Sequence, residues 1–136
     1  MIKLANTDLT IYPLCLGGNV FGYSADKDNS EAVLTFYADN GGNFIDTADM
    51  YSQWAPGHIG GESETIIGNW MKKRGNRSQM IIATKVGRLD TKPGLSPSNI
   101  ISACEDSLKR LGSDYIDIYY SHQDDLDTPI EQSLGA

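Results

Sequence analysis

Four residues of this 136-residue chain could together move a proton: Asp46, Tyr51, Lys85 and His122. A phenol is neutral and proton-donating at pH 7, and a neighbouring ammonium favours the proton's departure by stabilising the phenolate left behind. Lys85 can serve Tyr51 in this way if a carboxylate such as Asp46 keeps the ammonium charged and aimed. The imidazole of His122 can hydrogen-bond a substrate oxygen and orient it. Each residue also has an ordinary structural reading. Asp46 and Lys85 could staple adjacent strands as an ion pair, Tyr51 could be a packing aromatic in a loop, and His122 could be a hydrogen-bonded strand end.

Three of the four end short apolar runs: Asn43 to Asp46, Met80 to Lys85, and Tyr115 to His122. As parallel strands of an α/β barrel, these runs would bring Asp46, Lys85 and His122 out at the carboxyl-terminal rim, where such barrels keep their active sites. Tyr51 would follow on the loop, five residues after Asp46. The chain reads as repeated β-loop-α units, with strands expected near 13–17, 43–46, 80–85 and 115–121 at the spacing that right-handed crossovers require. A weak alternation in residues 1–12 around Asn6-Thr7-Asp8 predicts a small hairpin.

Between the strands, three helices are expected. Asp28-Asn29-Ser30-Glu31 has capping-box spacing, with Val33, Phe36 and Tyr37 as the buried face and Gly41-Gly42 as the stop. A second helix starts near Ser63, buries Ile66, Ile67, Trp70 and Met71, and ends at Gly75. The third has Ser96 as N-cap and Pro97 at its first position, with Ile100, Cys104, Leu108 and Leu111 on one face and Gly112 closing it.

In these motifs the chain resembles the aldo-keto reductases. The resemblance rests on FIDTADMY at 44–51, IIATK at 81–85 and YIDIYYSHQDD at 115–125, with lesser matches in LGGNVFG at 16–22, GGESE at 60–64 and SLKRLGSDYID at 107–117. It implies the amino-terminal half of a (β/α)8 TIM barrel: four parallel strands, outer helices and an N-terminal β-hairpin. It also implies the reduction of aldehydes or ketones by NADPH, with Asp46, Tyr51, Lys85 and His122 as the catalytic tetrad and Tyr51 as proton donor. Gly18, Asn19 and Asp46 would face the nicotinamide half of the cofactor, whose other contacts the resemblance places in the second half of the barrel. A complete barrel takes roughly 250 residues. Residues 1–136 are therefore expected to be one truncated domain that stops as TPIEQSLGA begins a fourth helix.

Two further readings follow from the same residues. One is a non-catalytic binding module of the kind some channel-associated relatives form. The other is a half-barrel that pairs with a second copy of itself, fourth strand beside first, because open sheet edges and a wet apolar face favour association.

Composition narrows the partners. Hydrophobic residues make up 40% and charged residues 21%, and the formal charge of −7 argues against nucleic acid. No apolar run approaches a membrane span and MIKLANTDLT has no signal-peptide pattern, so a cytoplasmic protein is expected; the small carbonyl substrate is what the resemblance implies. Cys15 and Cys104 read as reduced, packed thiols. His58 reads as a solvated loop residue, and Lys72, Lys73, Arg74 and Arg77 as a solvated helix end. Asp124 and Asp125 lie just after His122 without the ligand set a metal needs. Asp117, inside an apolar strand, demands a buried cation that the sequence does not identify.

Overall fold

The computed structural model describes residues 1–136. The chain opens with the antiparallel pair β1 (Ile2–Lys3) and β2 (Thr10–Ile11), turning through Asn6 in the left-handed region at φ 59°. Asn43 ties this hairpin to the base of the sheet, its Oδ1 accepting from the Tyr12 amide at 2.7 Å and its Nδ2 donating to the Thr10 carbonyl at 2.9 Å. There follow β3 (Leu16–Gly17), α1 (Lys27–Asp39), β4 (Phe44–Asp46), α2 (Glu62–Arg74) and β5 (Ile81–Val86). A short hairpin of β6 (Arg88–Leu89) and β7 (Lys92–Pro93) leads to α3 (Pro97–Leu111), β8 (Ile118–Ser121) and the short α4 (Ile130–Leu134). No helix is long and apolar enough to cross a membrane.

Strands β3, β4, β5 and β8 form one parallel sheet in that order, each joined to the next across a helix, as four consecutive units of a (β/α)8 barrel require. Register sets Gly17 beside Asp46, Asp46 beside Ala83, and Lys85 beside Tyr120. Because side chains alternate along a strand, Ile45, Ile82, Thr84 and Val86 turn to the helix layer, while Asp46 and Lys85 turn to the opposite, inner face. The larger core lies in the helix layer, where Leu34, Ile45, Ile67, Trp70, Ile82 and Leu111 are at most 1% exposed.

Helix α1 differs from the sequence expectation at both its start and its face. Its N-cap is Asp26, whose Oδ1 accepts from the Asn29 amide at 2.9 Å, so the helix begins two residues ahead of the Asp28 capping box. The buried residues are Ser30, Leu34 and Tyr37, whereas Val33 and Phe36 are exposed, Phe36 at 73%. Polar bonds fix this rotation. The Tyr37 hydroxyl lies 2.6 Å from the Leu14 carbonyl and accepts from the Phe44 amide at 3.2 Å, and Trp70 Nε1 donates to Thr35 Oγ1 at 3.1 Å.

Helix α3 has the expected Ser96 cap and Pro97 start, but its fully buried stripe is Ala103, Ser107 and Leu111; Ile100, Cys104 and Leu108 flank it. Small residues are needed there because α2 and α3 meet backbone to backbone. A methyl group on Gly68 would run into the carbonyl oxygens of Arg110 and Leu111.

Three polar residues also depart from their sequence reading. Arg77 is not solvated: it is the cation that Asp117 needs, donating to Asp117 Oδ2 at 2.9 Å and, at the same distance, to Ser113 Oγ and the carbonyls of Met80 and Tyr115. His58 is half-buried, its Nδ1 3.0 Å from Ser52 Oγ. Cys15 is exposed rather than packed, because it enters β3 at a sheet edge with no neighbouring strand, while Cys104 is partly buried; both are free thiols.

Candidate active site

The elements deliver the four groups to one end of the sheet. Asp46 is the last residue of β4, Lys85 the penultimate residue of β5, and His122 follows β8 with its amide on the Val86 carbonyl at 2.9 Å. Beyond Asp46 the ladder to β5 continues, the amides of Thr47 and Asp49 donating to the carbonyls of Ala83 at 2.8 Å and Lys85 at 3.2 Å. The chain then turns so that Tyr51 comes back over Lys85. Ser52, directly after the phenol, is buried in the left-handed region at φ 79° and bonded to His58, an outlier that fixes the turn.

Lys85 is the hub. Its ammonium lies 2.6 Å from Asp46 Oδ2, 2.8 Å from the Thr47 carbonyl and 2.9 Å from the Tyr51 hydroxyl. An ammonium has three protons, and all three are placed. The Tyr51 oxygen is therefore an acceptor toward Lys85, which leaves its own proton free to be given elsewhere. His122 packs edge-on against Tyr51, ring centroids 5.8 Å apart. Burial, with Lys85 and Arg88 nearby, holds the imidazole below its ordinary range, so it is neutral at pH 7 and one ring nitrogen carries a proton it can donate. The Trp54 ring lies 6.2 Å from Tyr51 and the Tyr23 ring 5.9 Å from Trp54; both are roughly half exposed and add aromatic surface beside the phenol.

The residues expected to face a cofactor fall into two kinds. Gly18 is buried, and its backbone is spent internally: its amide donates to the Asp46 carbonyl at 2.7 Å and its carbonyl accepts from Ser63 Oγ at 2.7 Å. A Cβ there would lie 2.9 Å from Ser63 Oγ and 3.2 Å from the Asp46 carbonyl, so packing accounts for this glycine. Asn19 is exposed, with its Oδ1 over Gly17, the register partner of Asp46.

Other residues of the region are not evident from motif reading. Thr47 Oγ1 lies 2.8 Å from Ser63 Oγ, joining the Asp46 strand to the start of α2. Glu64 is fully buried, accepting from Thr84 Oγ1 at 2.5 Å and from Arg110 Nε at 2.6 Å. Asp49 is fully buried and neither carboxyl oxygen has a partner. The only signal for these is position: Asp49 lies two residues before Tyr51, and Glu64 lies in the first turn of the helix that GGESE opens. Asp125, beside His122, orders the following loop by accepting from the Leu95 amide and the Thr128 hydroxyl.

A four-stranded parallel βα sheet with carboxylate, ammonium, phenol and imidazole at its carboxyl-terminal rim has the architecture of a TIM-barrel enzyme site. The chain belongs to the aldo/keto reductase family, whose profile matches residues 13–136. It is 37% identical over 129 residues to the aldo-keto reductase yakc [NADP(+)] of Schizosaccharomyces pombe, a match covering 90% of this chain and 36% of that one. It is 34% identical over 139 residues to a probable voltage-gated potassium channel subunit beta of Arabidopsis thaliana, covering 98% and 40%. The holo form of an aldo-keto reductase from Bacillus halodurans superposes with a TM-score of 0.84 at 32% identity, covering 98% of this chain and 43% of that one. The chain thus spans less than half the length of each of these three proteins.

Proposed function

We propose that this chain carries the proton-transfer half of an NADPH-dependent reductase of aldehydes and ketones. The observation that carries this reading is the saturated Lys85 ammonium, which holds the Tyr51 oxygen as an acceptor and leaves the phenol proton free. When bound, the nicotinamide would deliver hydride to the carbonyl carbon. Tyr51 gives its proton to the developing alkoxide, and Lys85 stabilises the phenolate that remains. Asp46 keeps Lys85 charged through one carboxylate oxygen, leaving Oδ1 available to a cofactor hydroxyl. Neutral His122 hydrogen-bonds the substrate oxygen, and the Trp54 and Tyr23 rings shield the mouth from water. Asn19 and Asp46 Oδ1 fit the nicotinamide end of the cofactor. The ammonium nearest the site, Lys85, is already spent, so the phosphates need groups outside these residues. A likeness to a relative named for NADP(+) supports the choice of cofactor.

The test uses a protein that joins this chain to four further βα units. Tyr51→Phe should lower kcat by roughly 10²–10⁴-fold while cofactor affinity stays within about twofold, since it removes the acid and little surface. Near-normal turnover by that variant would rule Tyr51 out as the acid.

For the chain alone, we propose a cytoplasmic, weakly active or inactive half-barrel that associates with a second copy. The outer edges of β3 and β8 have no neighbouring strand, and closure would pair both. A stable monomer in sedimentation at micromolar concentration would contradict this. The likeness to a potassium channel subunit beta supports a second reading, a non-catalytic binding module. Turnover by the joined protein would decide against it.

A further inference from the structure

Behind the catalytic face, on the helix side of β5, lies a second polar cluster that the proton-transfer scheme does not use. It contains one cation, Arg110 of α3, and two carboxyl groups, Glu64 of α2 and Asp49 of the loop after β4. The cation is committed: Arg110 Nε donates to Glu64 Oε2 at 2.6 Å and its Nη2 to Ser107 Oγ at 3.2 Å. Glu64 is complete, with Thr84 on its other oxygen at 2.5 Å. Asp49 is left over. Its carboxyl is 0% exposed, neither oxygen has a hydrogen-bond partner, and the amide of Met50 lies near it outside bonding geometry. With both carboxyl groups ionised the cluster would carry a net negative charge in a buried, low-dielectric site; with a proton on Asp49 it is neutral. Low dielectric strongly favours the neutral state.

We propose that Asp49 is a positioning residue for the Lys85–Tyr51 pair, acting by gaining or losing one proton inside this closed cluster with Glu64 and Arg110. This deepens the reductase reading and rests on it. The coupling has a short path. The Asp49 amide donates to the Lys85 carbonyl at 3.2 Å, and Tyr51 is two residues further along a turn locked by Ser52. The groups facing Asp49 are Glu64 from α2, Arg110 from α3 and Lys85 from β5, with the buried Tyr119 hydroxyl of β8, also unpartnered, sharing the field of Asp49, Glu64 and Arg110. Burial first, then the Glu64 carboxylate, push Asp49 up to about 7 against the opposing pull of Arg110, the nearby Met50 amide and Lys85. When Asp49 ionises, a new negative charge appears behind Lys85. That charge draws on the ammonium and opposes formation of a phenolate at Tyr51, so proton donation weakens as pH rises through neutrality.

The experiment is a ¹³C NMR titration of the 136-residue chain with labelled aspartate, lysine and tyrosine. The Asp49 carboxyl carbon should titrate near neutrality, and the Lys85 and Tyr51 side-chain resonances should move with the same midpoint. In Asp49→Asn that inflection should vanish from both. In Glu64→Gln, where Arg110 is released to Asp49, the Asp49 midpoint should fall by at least one pH unit; if this variant does not fold, the Asp49→Asn comparison decides alone. A Lys85 or Tyr51 inflection near neutrality that persists in Asp49→Asn, or an Asp49 midpoint in the ordinary carboxylate range, overturns the proposal. Turnover plays no part in this measurement, so it can fail while the reductase reading stands, and the Tyr51→Phe test can fail while this one succeeds.

Discussion

Two ion pairs mark opposite ends of the same stretch of chain, Arg77–Asp117 just before β5 and Lys85–Asp46 near its end, and they are built for different ends. Arg77 spends its fork on Ser113, Asp117 and two backbone carbonyls, and its guanidinium lies 3.8 Å from the Tyr115 ring centroid. Asp117 in turn accepts from the Ile82 amide at 2.9 Å. These contacts sew β5 to β8, and no titratable proton is left facing open space. Lys85 is equally saturated, but one of its partners is a phenol whose proton remains unassigned. In the proposed reductase reading, that free phenol proton is what separates the Lys85 pair from the purely structural Arg77 pair.

Removing each cation should separate the two roles. The largest effect is expected from Lys85→Met in the joined, full-length protein: a loss of roughly 10³-fold in kcat, in line with removing a preorganised charge from a developing anion. Its cost in stability should be small by comparison, because Asp46 keeps about a quarter of its side-chain surface in water. Steady-state kinetics beside chemical denaturation would show it, and retained turnover would erase the distinction drawn here. Arg77→Met should do the reverse. It strands Asp117, whose side chain is 12% exposed, and should cost about 3 kcal/mol in denaturant unfolding while leaving the geometry of the rim unchanged.

The buried Asp49 sharpens the contrast through pH. Its ordinary value is 3.8 and its value in the fold is raised to about 7, so the folded chain holds a proton that the unfolded chain has released between those limits. Its contribution is fully present below about 4 and is lost as pH rises through about 7, amounting to a few kcal/mol on the order-of-magnitude linkage scale. Denaturation midpoints measured from pH 5 to 8 should fall more steeply for the wild-type chain than for Asp49→Asn. Equal slopes would mean that Asp49 does not hold the proton. The smallest effect is expected at Arg74, which meets Asp39 at 2.6 Å between α2 and α1 with both side chains at least one-third exposed. Arg74→Ala should change stability by less than about 1 kcal/mol, and less still at high salt.

How far the sequence reaches depends on whether a feature is set locally. The Ser96 cap with Pro97 behind it and the Gly75 and Gly112 stops are local, since they depend on backbone conformations that neighbouring residue types dictate. The order of parallel strands follows from the even spacing of βα units. The rotation of α1 was not legible. Val33, Phe36 and Tyr37 match a helical period as well as Ser30, Leu34 and Tyr37 do, and the choice falls to Tyr37 and Trp70 bonding partners far away in the chain. Arg77 looked like one basic residue among several, because the carboxylate that claims it lies 40 residues downstream.

The four chemically distinct residues, their order, the places of Asp46, Lys85 and His122 at strand ends and that of Tyr51 on the following loop were legible in the amino-acid sequence alone, since residue type is chemistry and strand period sets direction. Tertiary structure decided what each proton does. The placing of all three Lys85 protons, the closure of Glu64 on Arg110 and Thr84, and the isolation of Asp49 depend on distances between segments tens of residues apart. Those distances exist only once parallel pairing and the close approach of α2 to α3 have brought the segments together, and burial then sets the dielectric that makes one leftover carboxyl keep its proton.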